Sequence, residues 1–364
     1  MNFTINQKVM QEGLNKVEKA VTGKVTNPIL EGIYMSAKDG RLRLIGSDTN
    51  ITIVTDIEDV NILEEGELVI DAKLLKEIIR KLPNDEVSFK TEETLIKLNC
   101  LKTEMSLVYT EGSNYPSEIM DTEGFEVILP GKEIKSMVKC TSFAAAKDDA
   151  RPILKGTLFE VENQTLNMVT LDGYRLSKKT LELNNSNENI SVTLDTKSFA
   201  DIIKLAWDED VKIKITQSHA IIKFENTIAI TRLLEGKFVN YKTLIPLNQK
   251  LEVKVNKSDI VSSIRRAELM SDNSAPLIKI SIENSLEITA KSNLGKVEEN
   301  LSIEKNSDNN LTIAFNAKYL LEAIDAIDDQ NILMRFDTNV SPSIVVGEND
   351  ITGEYLVLPV RLAA

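Results

Sequence analysis

Histidine and tryptophan each occur once in the 364 residues, cysteine twice, and aromatic residues of every kind make up only 5%. The single histidine, His219, lies in the alternating stretch SHAIIKFEN with no second histidine or Cys-x-x-Cys nearby. It reads as an ordinary strand residue, and no Ser-His-Asp or Cys-His arrangement can be built around it economically. Cys100 and Cys140 supply neither a disulfide framework nor a CxxC motif. No P-loop is present and no GxGxxG follows a strand, so nothing nominates a nucleotide cofactor. No cofactor, no metal and no catalytic residue is expected, and the chain reads as non-enzymatic. No apolar run approaches the roughly 18 residues of a membrane span. The opening MNFTINQKVM lacks an apolar leader core. Neither a membrane partner nor secretion is expected. Basic residues are outnumbered as well, 43 against 56, for a net charge of -13. Taken whole, that balance opposes a polyanionic partner.

What the chain does have is an internal repeat. NPILEG (Asn27–Gly32) returns as RPILKG (Arg151–Gly156) after a shift of 124, and Pro276 in APLIKI lies a further 124 beyond Pro152. IDAKLLKEI (Ile70–Ile78) returns as LDTKSFADI (Leu194–Ile202) with the same shift of 124, and as FNAKYLLEA (Phe315–Ala323) after 121 more. Two independent anchor sets on one period indicate tandem domains of about 120 residues, each needing its own core. We place them at 1–122, 123–248 and 249–364. The boundaries fall near Asp121–Gly124 and Pro246–Lys250, stretches too short to separate the domains widely. The polar runs Asn184–Asn189 and Lys305–Asn310 read as surface loops within copies.

Each copy opens on a short alternating segment: Phe3–Ile5, Phe125–Leu129 and Leu251–Val255. A helical pattern follows, in copy one through Val9, Leu14, Val17 and Val21. Leu42–Leu44, Ile51–Ile57 and Leu68–Ile70 alternate as strands. Leu74, Leu75, Ile78, Ile79 and Leu82 mark a second helix that stops at Pro83, and Val87–Leu107 supplies three more strands. Asp71, Asp195 and Asn316 stand at one repeat position, each suited to cap that second helix. The fold class is therefore α+β, two helices per copy on antiparallel sheet, with strands too closely spaced for parallel crossovers. Asp172-Gly173 in TLDGYRL reads as a tight turn, and Asp148-Asp149 beside Lys147 and Arg151 as a solvated loop.

The charge is unevenly spread. The six predicted helices (7–20, 72–82, 131–140, 196–206, 257–268 and 317–327) carry 16 basic and nine acidic residues, net +7, which leaves -20 of the total for everything else. Five of the six are net basic. Such helices on one surface attract a duplex without reading its sequence. The scarcity of aromatics on them gives no sign of base stacking.

The pieces NPILEG, RPILKGTLFE, TLDGYRL, LEGKFVNYKTLIP, FNAKYLLEAI and YLVLPVRL together resemble the bacterial DNA polymerase III β subunit family, the sliding clamps, over essentially the whole chain. The resemblance implies three clamp domains per chain and a head-to-tail homodimer closing as a ring on double-stranded DNA, with twelve helices inside and the acidic sheets outside. It implies a processivity factor whose partners are the replicative polymerase catalytic subunit, the clamp loader, and other polymerases and repair or ligation proteins bearing a short clamp-binding peptide. Cytoplasmic, nucleoid-associated localisation goes with it. A protein-only scaffold or adaptor of three repeats is the alternative reading.

The same resemblance implies three residue sets. The DNA-facing set is Lys24, Lys73, Arg80, Lys147, Lys197 and Arg265. The peptide groove comprises Leu154, Leu171, Gly173, Tyr174, Arg175 and Leu176, then Val239, Thr243 and Leu244, then Leu356, Val357, Leu358, Pro359, Val360 and Arg361, apolar with a basic rim. Leu171, Val239 and Thr243 stand where the family usually has threonine, proline and arginine. The subunit interface would set Leu269 and Met270 against Leu74, Ile78 and Leu82. The strand with Met105 and Leu107 would pair with the strand near Val297–Ile303, and Glu298 and Glu299 would meet a basic residue such as Lys73 or Lys102.

Overall fold

The computed structural model describes residues 1–22, 25, 27–116, 123–183, 188–271, 276–293 and 295–361. Lys24, the Asp121–Thr122 part of the first boundary, positions 184–187 of a predicted loop and Ala275 lie outside the described residues.

Copy one runs β1 (Asn2–Asn6), α1 (Gln7–Val17), β2 (Gly32–Lys38), β3 (Arg41–Ser47), β4 (Ile51–Ile57), β5 (Asn61–Glu64), β6 (Gly66–Asp71), α2 (Ala72–Lys81), β7 (Glu86–Glu92), β8 (Leu95–Cys100) and β9 (Thr103–Val108), then the short β10 (Thr110–Glu111). Copy two runs β11 (Phe125–Leu129), α3 (Gly131–Thr141), β12 (Gly156–Glu162), β13 (Thr165–Leu171), β14 (Arg175–Glu182), β15 (Ile190–Asp195), α4 (Thr196–Ile203), β16 (Val211–Ile215), β17 (His219–Phe224) and β18 (Thr227–Arg232). Copy three runs β19 (Leu251–Asn256), α5 (Lys257–Glu268), β20 (Leu277–Ile282), β21 (Leu286–Ser292), β22 (Gly295–Leu301), β23 (Glu304–Lys305), β24 (Leu311–Asn316), α6 (Ala317–Asp325), β25 (Asn331–Phe336), β26 (Ser343–Gly347) and β27 (Gly353–Val357). The repeated order is a strand, a helix, four or five strands, a helix and three strands.

Local chemistry sets the helix starts. Asp71 Oδ1 accepts the Leu74 N–H at 2.7 Å, and Asn316 Oδ1 accepts those of Lys318 and Tyr319 at 3.0 and 3.4 Å. Asn6 and Asn256 do the same for α1 and α5. Each such cap stabilises its helix by about 1 kcal/mol. The buried face of α1 is Gln7, Met10, Gly13, Leu14 and Val17; the expected stripe holds at Leu14 and Val17, while Val9 is half-buried and Val21 lies beyond the helix. A Cβ on Gly46 would come 2.2 Å from the Val17 carbonyl, so β3 approaches α1 more closely than any other residue allows. The strand β2 was not expected. Its burial runs nearly unbroken from Gly32 to Tyr34, Met35 and Ala37, which hides the period of two.

Four sheets result, and every described strand pair is antiparallel. Their orders are β5-β1-β7-β8-β9, β10-β6-β2-β3-β4-β18-β17-β16-β11, β15-β12-β13-β14-β27-β26-β25-β19-β23 and β22-β21-β20-β24. The chain divides into two compact units. One, Met1–Ile134 with Ser198–Leu233, holds the first two sheets; the other, Lys135–Lys197 with Leu234–Ala364, holds the last two. The middle copy is thus divided. Its β18 joins copy one through the β4 ladder, Thr227↔Thr55 to Thr231↔Ile51. Its β14 joins copy three through the β27 ladder, Arg175↔Val357 to Lys179↔Gly353.

Candidate functional site

The β14–β27 junction carries an apolar cluster. Leu154, Leu158, Val169, Leu171, Leu176, Phe238, Tyr241 and Leu356 are buried together, with Ala146, Ile153, Ile245 and Leu358 half-buried against them. The period of two selects them: Leu176 and Leu356 are cross-strand partners, as are Leu171 and Leu176. Below the cluster, the Tyr241 hydroxyl donates to Glu160 Oε2 at 2.7 Å; burial first and that hydrogen bond second push its pKa up. Around the cluster, Tyr174 is 62% exposed, and Val239, Leu244 and Val360 are exposed as well. Gly173, Thr243 and Arg361 are exposed, and Pro359 is half-buried. Gly173 has φ +93°, a backbone that favours glycine in this turn. Asp172 Oδ1 closes the turn by accepting the N–H groups of Tyr174 and Arg175 at 2.9 and 3.1 Å.

Two members of the expected wall are corrected. Val357 is fully buried in a different core, with Tyr355, Phe315 and Phe336, because consecutive residues of β27 face opposite sides of the sheet. Arg175, its cross-strand partner, faces that side too. At 4% exposure it is no rim cation: it pairs with Asp172 and Glu322 and donates to the Phe143 carbonyl. Phe238, Tyr241 and Ile245 were missed as cluster members. All three lie in the quoted segment LEGKFVNYKTLIP, and its aromatic residues were the available signal.

The expected DNA-facing cations divide in two. Lys73, Lys147 and Lys197 are exposed and have no carboxylate partner among the described residues. Arg80 bonds Glu77 at 2.6 Å, and Arg265 meets Asp325 at 3.3 Å. Lys318 occupies the repeat position of Lys73 and Lys197, and it too is exposed with no described carboxylate partner. Sequence reasoning passed it over because α6 counts two acids against one base. Those acids are occupied, Glu322 by Arg175 and Asp325 by Arg265, so Lys318 is the unpaired charge of α6. Asp149 pairs with Lys155 in an exposed loop, and the hydrogen bond holds its carboxyl below the usual range. His219 is a half-buried strand residue with Nδ1 2.8 Å from Ser218 Oγ.

Of the interface candidates, Leu269 is 72% exposed, Leu74 is exposed, and Ile78, Leu82, Met105 and Met270 are half-buried. Leu107 is buried in the chain's own core, which leaves only its main chain for pairing. β9 and β22 are both edge strands. Glu298 pairs with Lys296 at 2.7 Å. Glu299 accepts from Arg266 Nε at 2.8 Å and Nη2 at 2.6 Å, which holds its carboxyl below its ordinary pKa.

Three α+β repeats fused through shared ladders, with an apolar cluster rimmed by exposed side chains and helix lysines that have no carboxylate partner among the described residues, define a tandem scaffold whose chemistry is that of surfaces. The comparisons with known proteins agree. Residues 1–121, 128–240 and 242–361 match the family models of the DNA polymerase III beta subunit N-terminal, central and C-terminal domains. The beta sliding clamp of Staphylococcus epidermidis is 31% identical, over 99% of this chain and 99% of its own. That of Bacillus subtilis is 30% identical, over 99% and 100%. The crystal structure of the Bacillus subtilis clamp superposes with a TM-score of 0.95 at 30% identity, covering 100% of both chains. That of the Streptococcus pneumoniae β chain gives 0.94 at 27%, covering 99% and 100%. The chain belongs to the DNA polymerase III β subunit family, the sliding clamps. It is a non-catalytic processivity factor that encircles DNA and tethers the polymerase and its partners.

Proposed function

We propose that two copies close head to tail into a ring, each built from clamp domains 1–122, 123–248 and 249–364. One observation carries this. The two internal junctions join equivalent strands of successive copies, β4 with β18 and β14 with β27. The third pair of the series is β22 and β9, and both are left as open edges. A ladder between β22 of one chain and β9 of the next completes the series and covers two exposed edges. Two such identical contacts close if each chain spans half a turn. Leu269 and Met270 then pack against Leu74, Ile78 and Leu82. Glu298 and Glu299 already pair with Lys296 and Arg266 within the chain, so a cation of the next subunit, such as Lys73 or Lys102, would join an existing ion pair.

In this reading Lys73, Lys147, Lys197 and Lys318 meet DNA phosphates, with Lys24, Arg80 and Arg265 beside them. The contacts are sequence-independent, and the closed ring rather than tight affinity retains the duplex. The Leu154–Leu171–Leu176–Leu356–Leu358 cluster, rimmed by Tyr174, Val239, Thr243, Leu244, Pro359, Val360 and Arg361, takes short peptides with leucine and phenylalanine anchors. Those peptides belong to the replicative polymerase, the clamp loader, and other polymerases and repair or ligation proteins. The site of action is the cytoplasm, at the nucleoid. Loaded protein should stay on circular DNA and run off the same DNA once linearised; equal loss from both would overturn encirclement.

A further inference from the structure

Arg175 has more partners than a single turn requires. Its Nε donates to Asp172 Oδ2 at 3.1 Å, its Nη2 to the Phe143 carbonyl at 2.7 Å and its Nη1 to Glu322. The guanidinium also lies 4.5 Å from the Tyr319 ring centroid and 5.3 Å from that of Phe143. It therefore ties together the β13–β14 turn, the turn after α3 and helix α6.

The neighbouring residue, Tyr174, is held by the same groups. Its N–H donates to the second oxygen of Asp172, and its ring stacks on Tyr319 at 6.0 Å and 24°. Its carbonyl accepts the Leu358 N–H at 2.9 Å, which fixes the start of the segment that carries Pro359 and Val360. Tyr319 thus contacts both a buried cation and a ring turned to solvent. Cation and stack both favour one ring orientation. Most of the Tyr174 surface remains free for a ligand.

We propose that Arg175, Tyr319 and Glu322 are positioning residues for the peptide groove: they hold Tyr174 and the Leu358–Val360 segment as a pre-formed wall for a partner's aromatic anchor. This rests on the groove reading above. A wall fixed before binding removes the ordering cost that a loose tyrosine and a loose terminal segment would add. A purely structural brace would stabilise the fold and leave peptide affinity alone.

The test uses the full chain and a labelled synthetic peptide with one leucine and one phenylalanine anchor, read by fluorescence anisotropy alongside thermal unfolding. Tyr319→Leu, which keeps bulk and removes the ring, should weaken binding about three- to tenfold, and Tyr319→Phe should restore it. In a Tyr174→Ala background, Tyr319→Leu should have no further effect, because the wall it supports is gone. Wild-type affinity for Tyr319→Leu, or an equal loss in both backgrounds, overturns the proposal. If Tyr319→Leu does not fold, Glu322→Gln carries the test, with a loss of about threefold that likewise vanishes without Tyr174. Leu358→Ala and Val360→Ala probe the groove itself. If neither weakens binding while Tyr319→Leu does, the groove is misplaced; if Tyr319→Leu alone is silent, only the positioning role falls.

Discussion

The two nine-stranded sheets share one construction and differ in what they place beside the junction. At the first, the β3–β4 hairpin sets Ser47 opposite Thr52, and their hydroxyls bond at 2.8 Å. At the second, the equivalent β13–β14 positions are Leu171 and Leu176, paired cross-strand within the apolar cluster. The first cluster, Leu30, Tyr34, Ile45, Val54, Val69 and Tyr115, is closed by Tyr115, which stacks on Tyr34 at 5.4 Å. The second is bordered by exposed Tyr174, Val239, Leu244 and Val360. Asn50 stands at the repeat position of Tyr174. Fusing two copies therefore does not by itself make a binding surface. On the reading proposed above it takes a leucine floor and an exposed apolar rim, and among the described residues only the second junction has both.

The largest effect is expected where no junction has formed within the chain. Leu269→Glu with Met270→Glu should convert dimer to monomer in sedimentation velocity, and a persistent dimer would break the analogy between β22–β9 and the two internal ladders. Next, copying the first junction into the second with Leu171→Ser and Leu176→Thr should cut peptide affinity at least tenfold. The same change should destabilise the protein by roughly 4–10 kcal/mol in urea, about 2–5 for each buried leucine lost. Unchanged peptide binding would mean that the leucine floor is not what separates the two junctions.

A smaller effect follows for the repeated lysines. Lys73→Ala, Lys197→Ala and Lys318→Ala should each reduce the dependence of log K on log salt by about 0.9 in duplex binding, one phosphate contact apiece. An unchanged slope for Lys318→Ala alone would confine the contact to the first two copies. The smallest effect concerns Glu299. The Arg266 hydrogen bonds lower its pKa against the opposing effect of burial. Its contribution to stability is therefore complete above the ordinary carboxylate pKa and fades as pH falls through the lowered one. Glu299→Gln should lower the thermal midpoint slightly at neutral pH, and the gap to wild type should close in acid. A gap that widens in acid would reverse the sign assigned here.

Much of this was legible in the residues. The 124-residue shift that aligns NPILEG with RPILKG also aligns Ser47 with Leu171 and Asn50 with Tyr174, so the contrast between junctions is written in the chain. The capping residues and the Pro83 stop located the second helix because those signals act over three or four residues. β2 escaped because burial on both faces erases alternation. Val357 in LVLPVR and Arg175 in TLDGYRL escaped because neither run says which of two cores each face meets. Lys318 escaped because formal counting cannot tell a free carboxylate from one already bonded to arginine.

The sequence alone determined three copies, their α+β class and the basic bias of their helices, since a repeated segment, a cap, a periodicity and a charge count are all read directly along the chain; the family resemblance came from the motifs themselves. Only the tertiary structure decided that the middle copy lends one edge strand to each neighbour, that β9 and β22 each keep one open edge, that the acids of α6 are already engaged, and that Arg175 is buried against Asp172, Glu322 and the Phe143 carbonyl. These depend on which strand edges and charges find partners far along the chain, and main-chain pairing and ion pairing leave no periodicity from which such partners can be read.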